Sequence, residues 1–236
     1  MLARLKSAVS RRLFPKDADL VRAQNYVSSN EVSGRTQFDL LVKSGLHPNS
    51  TLLEIGCGCL NAGVLLIKYL DAEHYVGIDP NPWLREAAMK SNKVRRLVER
   101  KAARFLSNDK FDASELGRKY DYIFSHSILS HAAHFQLEQF LHNTAKVLAP
   151  GGTILSSIRL AEGNKWGSAG SSDHKDTMDK EWVYPGVSFF TTATIHSTAA
   201  KCGLSAEIKP QYTEYYIARR PAEYHDWLMF KFRPSR

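Results

Sequence analysis

Between Leu52 and Gly63 the chain reads LLEIGCGCLNAG, an apolar run delivered into a glycine-rich turn with one acid, Glu54, just ahead of it. Gly56 and Gly58 would let the backbone approach a ligand closely, because a Cβ would collide there. With Gly63 they miss the dinucleotide fingerprint, which wants the third glycine three residues after the second. The acid sets the sign of the ligand. A carboxylate facing the loop repels a diphosphate and attracts a cation. A second acid, Asp79, closes the next apolar run, HYVGID, where a carboxylate can accept both hydroxyls of a ribose. The third group is a set of histidines, His126, His131 and His134, in SHSILSHAAH. Histidine titrates near neutral pH and can take a proton from a reacting group.

Strand ends must hold these residues. TLLEI reads as a short strand and AGVLLIKYL as the helix after it. HYVGID is the second strand, and PWLREAAMKSNKVRRLVER the next helix, with Pro82 suited to its first turn. ARFLSND is a third strand and YDYIFSHS a fourth. In QLEQFLHNTAKVLA, Leu137, Phe140, Leu141 and Leu148 recur at helical intervals until Pro150-Gly151-Gly152 stops them, and TILSSI is a fifth strand. Strands alternating with helices imply parallel βαβ units in a doubly wound sheet covered on both faces. LSAEIK and HDWLMFKF add two strands whose pairing is antiparallel at one side, giving a mostly parallel seven-stranded sheet with an antiparallel last strand. TQFDLLVKS, ended by Gly45, and TATIHSTAAKC, with Thr191 or Thr192 as N-cap, are further helices. From Arg159 to Ser188 the pattern dissolves into a loop longer than compact domains usually need. Ligands of such sheets sit at the carboxyl ends of the strands, where strand order reverses, so the turn after the first strand lines the site.

A ligand with an ammonium, a sulfonium and a ribose is S-adenosyl-L-methionine, and here a family resemblance enters. LLEIGCGCLNAG resembles the first motif of the class I S-adenosylmethionine-dependent methyltransferases, and VGIDPNPWL their second. FDASELGRKYDYIFSHSILSH is similar to the segment around the third and fourth strands, and VLAPGGTILSSI to the turn and fifth strand. The resemblance implies a Rossmann-like fold and S-adenosyl-L-methionine as cofactor. It implies Glu54, Gly56, Cys57 and Gly58 around the methionine part, Asp79 on the ribose, and Pro80 and Asn81 beside the adenosine. Phe111, Asp112 and Ala113 would approach the adenine, with Asp109 the competing acid, and Ser125 would stand by the cofactor at the end of the fourth strand. Cys59, Leu60 and Asn61 fill a stretch that is often small and polar in the family.

Displacement at a sulfonium-activated carbon asks the protein mostly for alignment, and sometimes for a base. His126 and His131 are the candidate bases. The segment after the fourth strand lacks the Asn/Asp-Pro-Pro-Tyr or Phe motif of enzymes acting on adenine amino groups or glutamine amides, and the Pro-Cys of cytosine-C5 enzymes. No acid cluster suggests a metal. The insert at about 159–190 supplies His174, Trp166, Trp182, Tyr184 and Phe189, and in a lid over the strand ends Trp182, Tyr184 and His174 would line an acceptor pocket. The expected reaction is methyl transfer to a small molecule, at oxygen, on a sugar-like or secondary-metabolite acceptor. An RNA or other nucleic-acid methyltransferase would exploit the net charge of +8, but the chain carries no RNP-like or zinc-knuckle pattern, so nucleic acid is disfavoured as a partner. A noncatalytic S-adenosylmethionine-binding subunit is the other alternative.

With 236 residues, 43% of them hydrophobic, the chain can bury one sizeable core. No apolar run approaches the roughly 20 residues needed to span a bilayer. Three cysteines, two of them one residue apart, suggest a reducing compartment and a cytoplasmic protein. Residues 1–33 read as a basic helical extension ahead of a 34–236 domain. In that extension Arg4, Lys6, Arg11, Arg12 and Lys16 accompany Leu2, Leu5, Val9 and Leu13 at helix-like intervals. Such an opening could touch an anionic membrane surface, act as a presequence, or simply be a solvated or docking helix.

Overall fold

A computed structural model of the protein describes residues 17–27, 31–168, 186–217 and 227–235. Two helices, α1 (Ala18–Tyr26) and α2 (Glu31–Lys43), precede the alternating part. That part runs β1 (Leu52–Ile55), α3 (Gly63–Tyr69), β2 (Tyr75–Ile78), α4 (Pro82–Met89), α5 (Asn92–Lys101), β3 (Arg104–Leu106), β4 (Tyr120–Ser125), α6 (His134–Val147) and β5 (Leu148–Arg159). A short pair, β6 (Lys165–Ser168) and β7 (Gly186–Phe189), is followed by α7 (Thr192–Lys201), β8 (Leu204–Ile208), α8 (Pro210–Ile217) and β9 (Trp227–Pro234).

The main sheet has seven strands in the order β3-β2-β1-β4-β5-β9-β8. Pairings among β1 to β5 are parallel, and β9 runs antiparallel between β5 and β8. The fold is thus the doubly wound, mostly parallel sheet that the alternation of strands and helices implies. After β3 the chain crosses back to lay β4 on the free side of β1, so the strand order reverses between these two neighbours. The loop after β1 and the segment after β4 therefore leave the sheet side by side.

Alternation along β1 sends Leu53 and Ile55 to one face, into a core with Phe140 and Leu141 of α6 and Ile195 of α7. Leu52 and Glu54 face the other side, where Leu52 packs with Leu40 of α2, Leu66 of α3 and Leu97 of α5. Both faces are covered, as a parallel sheet requires.

Three local expectations change. The stretch PWLREAAMKSNKVRRLVER forms two helices, because Ser91 adopts an extended conformation (φ −67°, ψ 115°), as small polar residues readily do where they compete with helical hydrogen bonding. Within the segment read as a loop, β6 and β7 pair antiparallel, Trp166 opposite Ser188, in a separate two-stranded sheet. β5 begins at Leu148, directly after α6, with the register shifting as Pro150-Gly151-Gly152 passes Asp121. Of the two threonines offered as a cap for α7, Thr191 is the one whose hydroxyl accepts from Thr194 N, at 3.0 Å. The 33/34 boundary falls inside α2.

Candidate active site

The loop after β1 is stitched to the end of β2 and bent by its glycines. Gly56 N and Cys57 N both donate to the carbonyl of Ile78, at 2.7 and 3.1 Å. Gly56 has φ +78°, where an L side chain is strained, and a Cβ there would lie 2.1 Å from Cδ1 of Ile128. The two acids that the sequence singles out sit next to this loop. Asp79 Oδ2 accepts from Gly58 N at 3.0 Å, and its Oδ1 accepts from Asn81 N at 2.9 Å. Glu54, beneath the loop, accepts from the hydroxyl of Tyr75 at 2.5 Å. Pro80 is exposed between Asp79 and Asn81.

Both carboxyls are buried, Glu54 to 4% and Asp79 to 6% exposure, and burial disfavours their charged forms. Burial pushes Glu54 up to about 7, with Asp79 adding to the rise and the Tyr75 hydroxyl opposing it. Asp79 is also raised by burial, against the pull of the Asn81 and Gly58 amides and of Arg85. Two acids thus share one desolvated corner, where Asp79 adds to the cost of ionising Glu54. Cys57 is a packing residue: its sulfur sits 2.9 Å from where a Cβ on Gly77 would stand, and burial drives its thiol well above the ordinary range. Burial likewise pushes Cys59 up to about 11.

Beyond β3, Phe111 takes the left-handed conformation (φ +58°) and turns its ring into the core against Phe140, centroids 5.6 Å apart. Asp112 spends its carboxylate on Ser114 N at 2.8 Å and on the Ser114 hydroxyl, starting the short turn Ser114–Leu116. Ala113 is fully buried, and Asp109 is exposed. Ser125 binds Ser156 across β4 and β5, Oγ to Oγ 2.7 Å, and lies in register with Ile55, which sets His126 level with Gly56.

The histidines part ways. His126 Nδ1 lies 3.1 Å from Ser127 Oγ and 3.5 Å from Gln37 Nε2 of α2, and an amide nitrogen only donates, so Nδ1 accepts there. His131, in the turn Leu129–His131, places Nδ1 2.5 Å from the carbonyl oxygen of Gly186 on β7. A carbonyl only accepts, so Nδ1 carries the proton and the neutral ring has its basic lone pair at Nε2. Burial, assisted by Arg159, pulls the His131 ring below the ordinary histidine range against the opposing Gly186 bond. Arg159 itself lies 4.8 Å over the ring of Phe189. His134 packs on Phe190. His174, Trp182 and Tyr184 lie outside the described residues, as does the basic segment 1–16. Among the described residues no group of three His, Cys, Asp or Glu side chains is placed to hold a metal ion.

Sequence reasoning missed what lies on top of the loop. Val27, closing α1, comes within 3.3 Å of a Cβ position at Gly58, and Gln24 Nε2 donates to Asn61 Oδ1 at 3.4 Å. Ala23 joins Cys59, Leu84 and Ala87 in one buried cluster, and Tyr26 meets Trp83 edge to face. Gly34 of α2 presses so closely on Asn61 that a Cβ would fall 2.1 Å from its carbonyl oxygen. The departure at Cys59 to Asn61 is therefore the surface that receives α1 and α2.

Residues 53–154 match the family model described as a methyltransferase domain. The match runs from β1 into β5 and covers less than half of the chain. No curated protein matches the chain in sequence. Solved structures share its fold at low identity. The CcbJ methyltransferase from Streptomyces caelestis is 12% identical over 94% of this chain and 98% of its own, with a TM-score of 0.63. Magnesium protoporphyrin IX methyltransferase from Synechocystis PCC 6803, with bound S-adenosylmethionine, is 14% identical over 87% and 79%, with a TM-score of 0.53. The glycopeptide N-methyltransferase MtfA, complexed with S-adenosylmethionine, is 12% identical over 84% and 93%, with a TM-score of 0.57. Two buried acids beside a glycine turn are residues that could receive a ligand carrying an ammonium and a ribose.

Proposed function

We propose that the protein moves the methyl group of S-adenosylmethionine to the oxygen of a small-molecule acceptor, with His131 as the base and His126 as the alternative. The observation that carries the reading is the pair Glu54 and Asp79, buried together at the heads of β1 and β2 where the strand order reverses. In this reading Glu54 meets the ammonium and Asp79 the ribose, while Gly56, Cys57, Gly58, Pro80 and Asn81 shape the backbone around the methionine and adenosine. Phe111 and Asp112 contribute through the backbone of their turn, Ala113 and Ser125 through packing. The cofactor supplies a methyl carbon already activated by sulfonium. The chain supplies alignment and a proton acceptor.

Oxygen is preferred because a hydroxyl must lose a proton as it attacks, whereas a neutral amine is already a nucleophile. His131 suits the removal of that proton, since its Nδ1–H is held on Gly186, its ring favours the neutral form, and Nε2 can accept. The structural neighbours include a magnesium protoporphyrin IX methyltransferase and a glycopeptide N-methyltransferase, which supports small-molecule acceptors as a class. His174, Trp182 and Tyr184 of the 159–190 insert are assigned to the acceptor pocket, and residues 1–16 to no part of the chemistry. The basic residues there are offered to an anionic membrane surface. No helix among the described residues is long and apolar enough to cross a membrane.

The test is to incubate the enzyme with cell extract and cofactor labelled in its methyl group, then to profile metabolites and nucleic acid together. The reading expects the label in a small molecule, as an O-methyl group. Label confined to RNA, or binding without transfer to any fraction, would contradict it.

A further inference from the structure

Glu54 owes its place to a partner that no motif includes. Tyr75 opens β2, opposite Leu52 in the register of the two strands, and its side chain shares the face that Glu54 occupies. The ring is buried to 2% exposure, leans on Phe105 with centroids 6.0 Å apart, and reaches the Glu54 carboxylate with its hydroxyl at 2.5 Å. Room for that hydroxyl comes from Gly63 at the start of α3, where a Cβ would stand 2.8 Å from Tyr75 Oη. The third glycine of the opening motif therefore makes space for a tyrosine rather than for a ligand.

We propose that Tyr75 is a positioning residue for the cofactor, its hydroxyl holding Glu54 as a carboxylate under the loop so that the site keeps its attraction for a cationic ligand. The proposal rests on S-adenosylmethionine as the cofactor. A buried carboxylate with no donor would take up a proton and lose the charge that draws an ammonium. The groups that act on Glu54 are its donor Tyr75 and the acid Asp79, with the Cys57 thiol above it in the loop. Arg85 of α4 acts on the same corner through Tyr75, Cys57 and Asp79, and lies 5.0 Å over the Phe105 ring. The direction follows from these. Burial and Asp79 raise Glu54, to about 7, and the Tyr75 hydroxyl holds it down. Removing that hydroxyl raises Glu54 further, so more of it is protonated at neutral pH.

Calorimetric titration of the full chain with S-adenosylmethionine, at pH values from about 6 to about 9, reads this out as an affinity midpoint. For the wild type, affinity should climb as pH rises through the Glu54 titration and fall again where the ligand's own ammonium loses its proton. For Tyr75→Phe the midpoint of the rising limb should move to higher pH, with about a tenfold loss at neutral pH that narrows as pH rises. Glu54→Gln should bind weakly and without that midpoint. Gly63→Ala, which leaves the tyrosine but crowds its hydroxyl, should shift the midpoint in the same direction and guards against a Tyr75→Phe protein that does not fold. A midpoint unmoved in folded Tyr75→Phe, or a loss equal at every pH, would show a merely structural tyrosine and overturn the proposal. A wild type that binds no S-adenosylmethionine at any pH would instead overturn the cofactor assignment beneath it.

Discussion

Single residues in this protein take their roles from partners far along the chain. His131 and His126 are alike in sequence, five positions apart, yet one presents Nδ1 as a donor to Gly186 and the other presents Nδ1 as an acceptor to Gln37. Local sequence holds no trace of either partner, since Gly186 lies 55 residues away and Gln37 lies 89. Glu54 and Asp79, by contrast, were legible. An acid ahead of a glycine turn and an acid closing the next strand are placed by strand geometry alone, and the bond from Gly58 N to Asp79 joins the two motifs as their order implies. Tyr75 was missed because an aromatic residue in a strand reads as core. The residue-scale prediction concerns His131. Its ring is held below the usual histidine range, so methyl transfer should fall as pH drops through that lowered value, where Nε2 becomes protonated. His131→Ala should slow turnover on the order of 100-fold and erase the acidic limb. His131→Asn, whose amide can keep a donor toward Gly186, should be as slow. Rate–pH profiles decide: near-normal turnover with the limb intact in His131→Asn would assign the ring to packing.

At the scale of elements, the strands that build the site were readable because parallel strands covered on both faces carry near-continuous apolar runs. The covering helices were less so. α1 contains Asp19, Arg22, Gln24 and Asn25 with a single fully buried side chain, Ala23, so no apolar stripe announces that it docks. Its attachment is distributed instead: Val27 over Gly58, Gln24 on Asn61, Tyr26 and Arg22 on Trp83, and the exposed ion pair of Asp19 with Lys90, which contributes little by itself. The segment through Tyr26 is thus part of the cofactor loop's packing. Deleting residues 1–16 should leave cofactor affinity unchanged. Deleting 1–27 should weaken it on the order of tenfold, by uncovering Cys59 and Leu84 and loosening the loop. Titration of the two truncated proteins with S-adenosylmethionine checks this, and equal affinity in both would place α1 outside the site's energetics. The hairpin β6–β7 escaped sequence reading for a similar reason: KWGS and GVSF are four residues each, too short for a period, and acquire strand character only by pairing.

Across the whole molecule, charge is divided by function. The net charge of +8 belongs to the sequence as a whole, while the interior corner at the heads of β1 and β2 holds two carboxyls that burial pushes toward neutrality, Glu54 with a further push from Asp79. In the proposed reading Glu54 receives the cofactor's ammonium and Asp79 its ribose. The most direct measurement is calorimetric titration of the 236-residue chain with S-adenosylmethionine and, separately, with NAD. The expected result is binding of S-adenosylmethionine and none of NAD, with Glu54→Gln and Asp79→Ala each costing about 1.5–3 kcal/mol, the scale of a hydrogen bond to a charged group. Tight binding of NAD, or S-adenosylmethionine affinity untouched by both substitutions, would contradict the assignment of the two acids to a cationic cofactor.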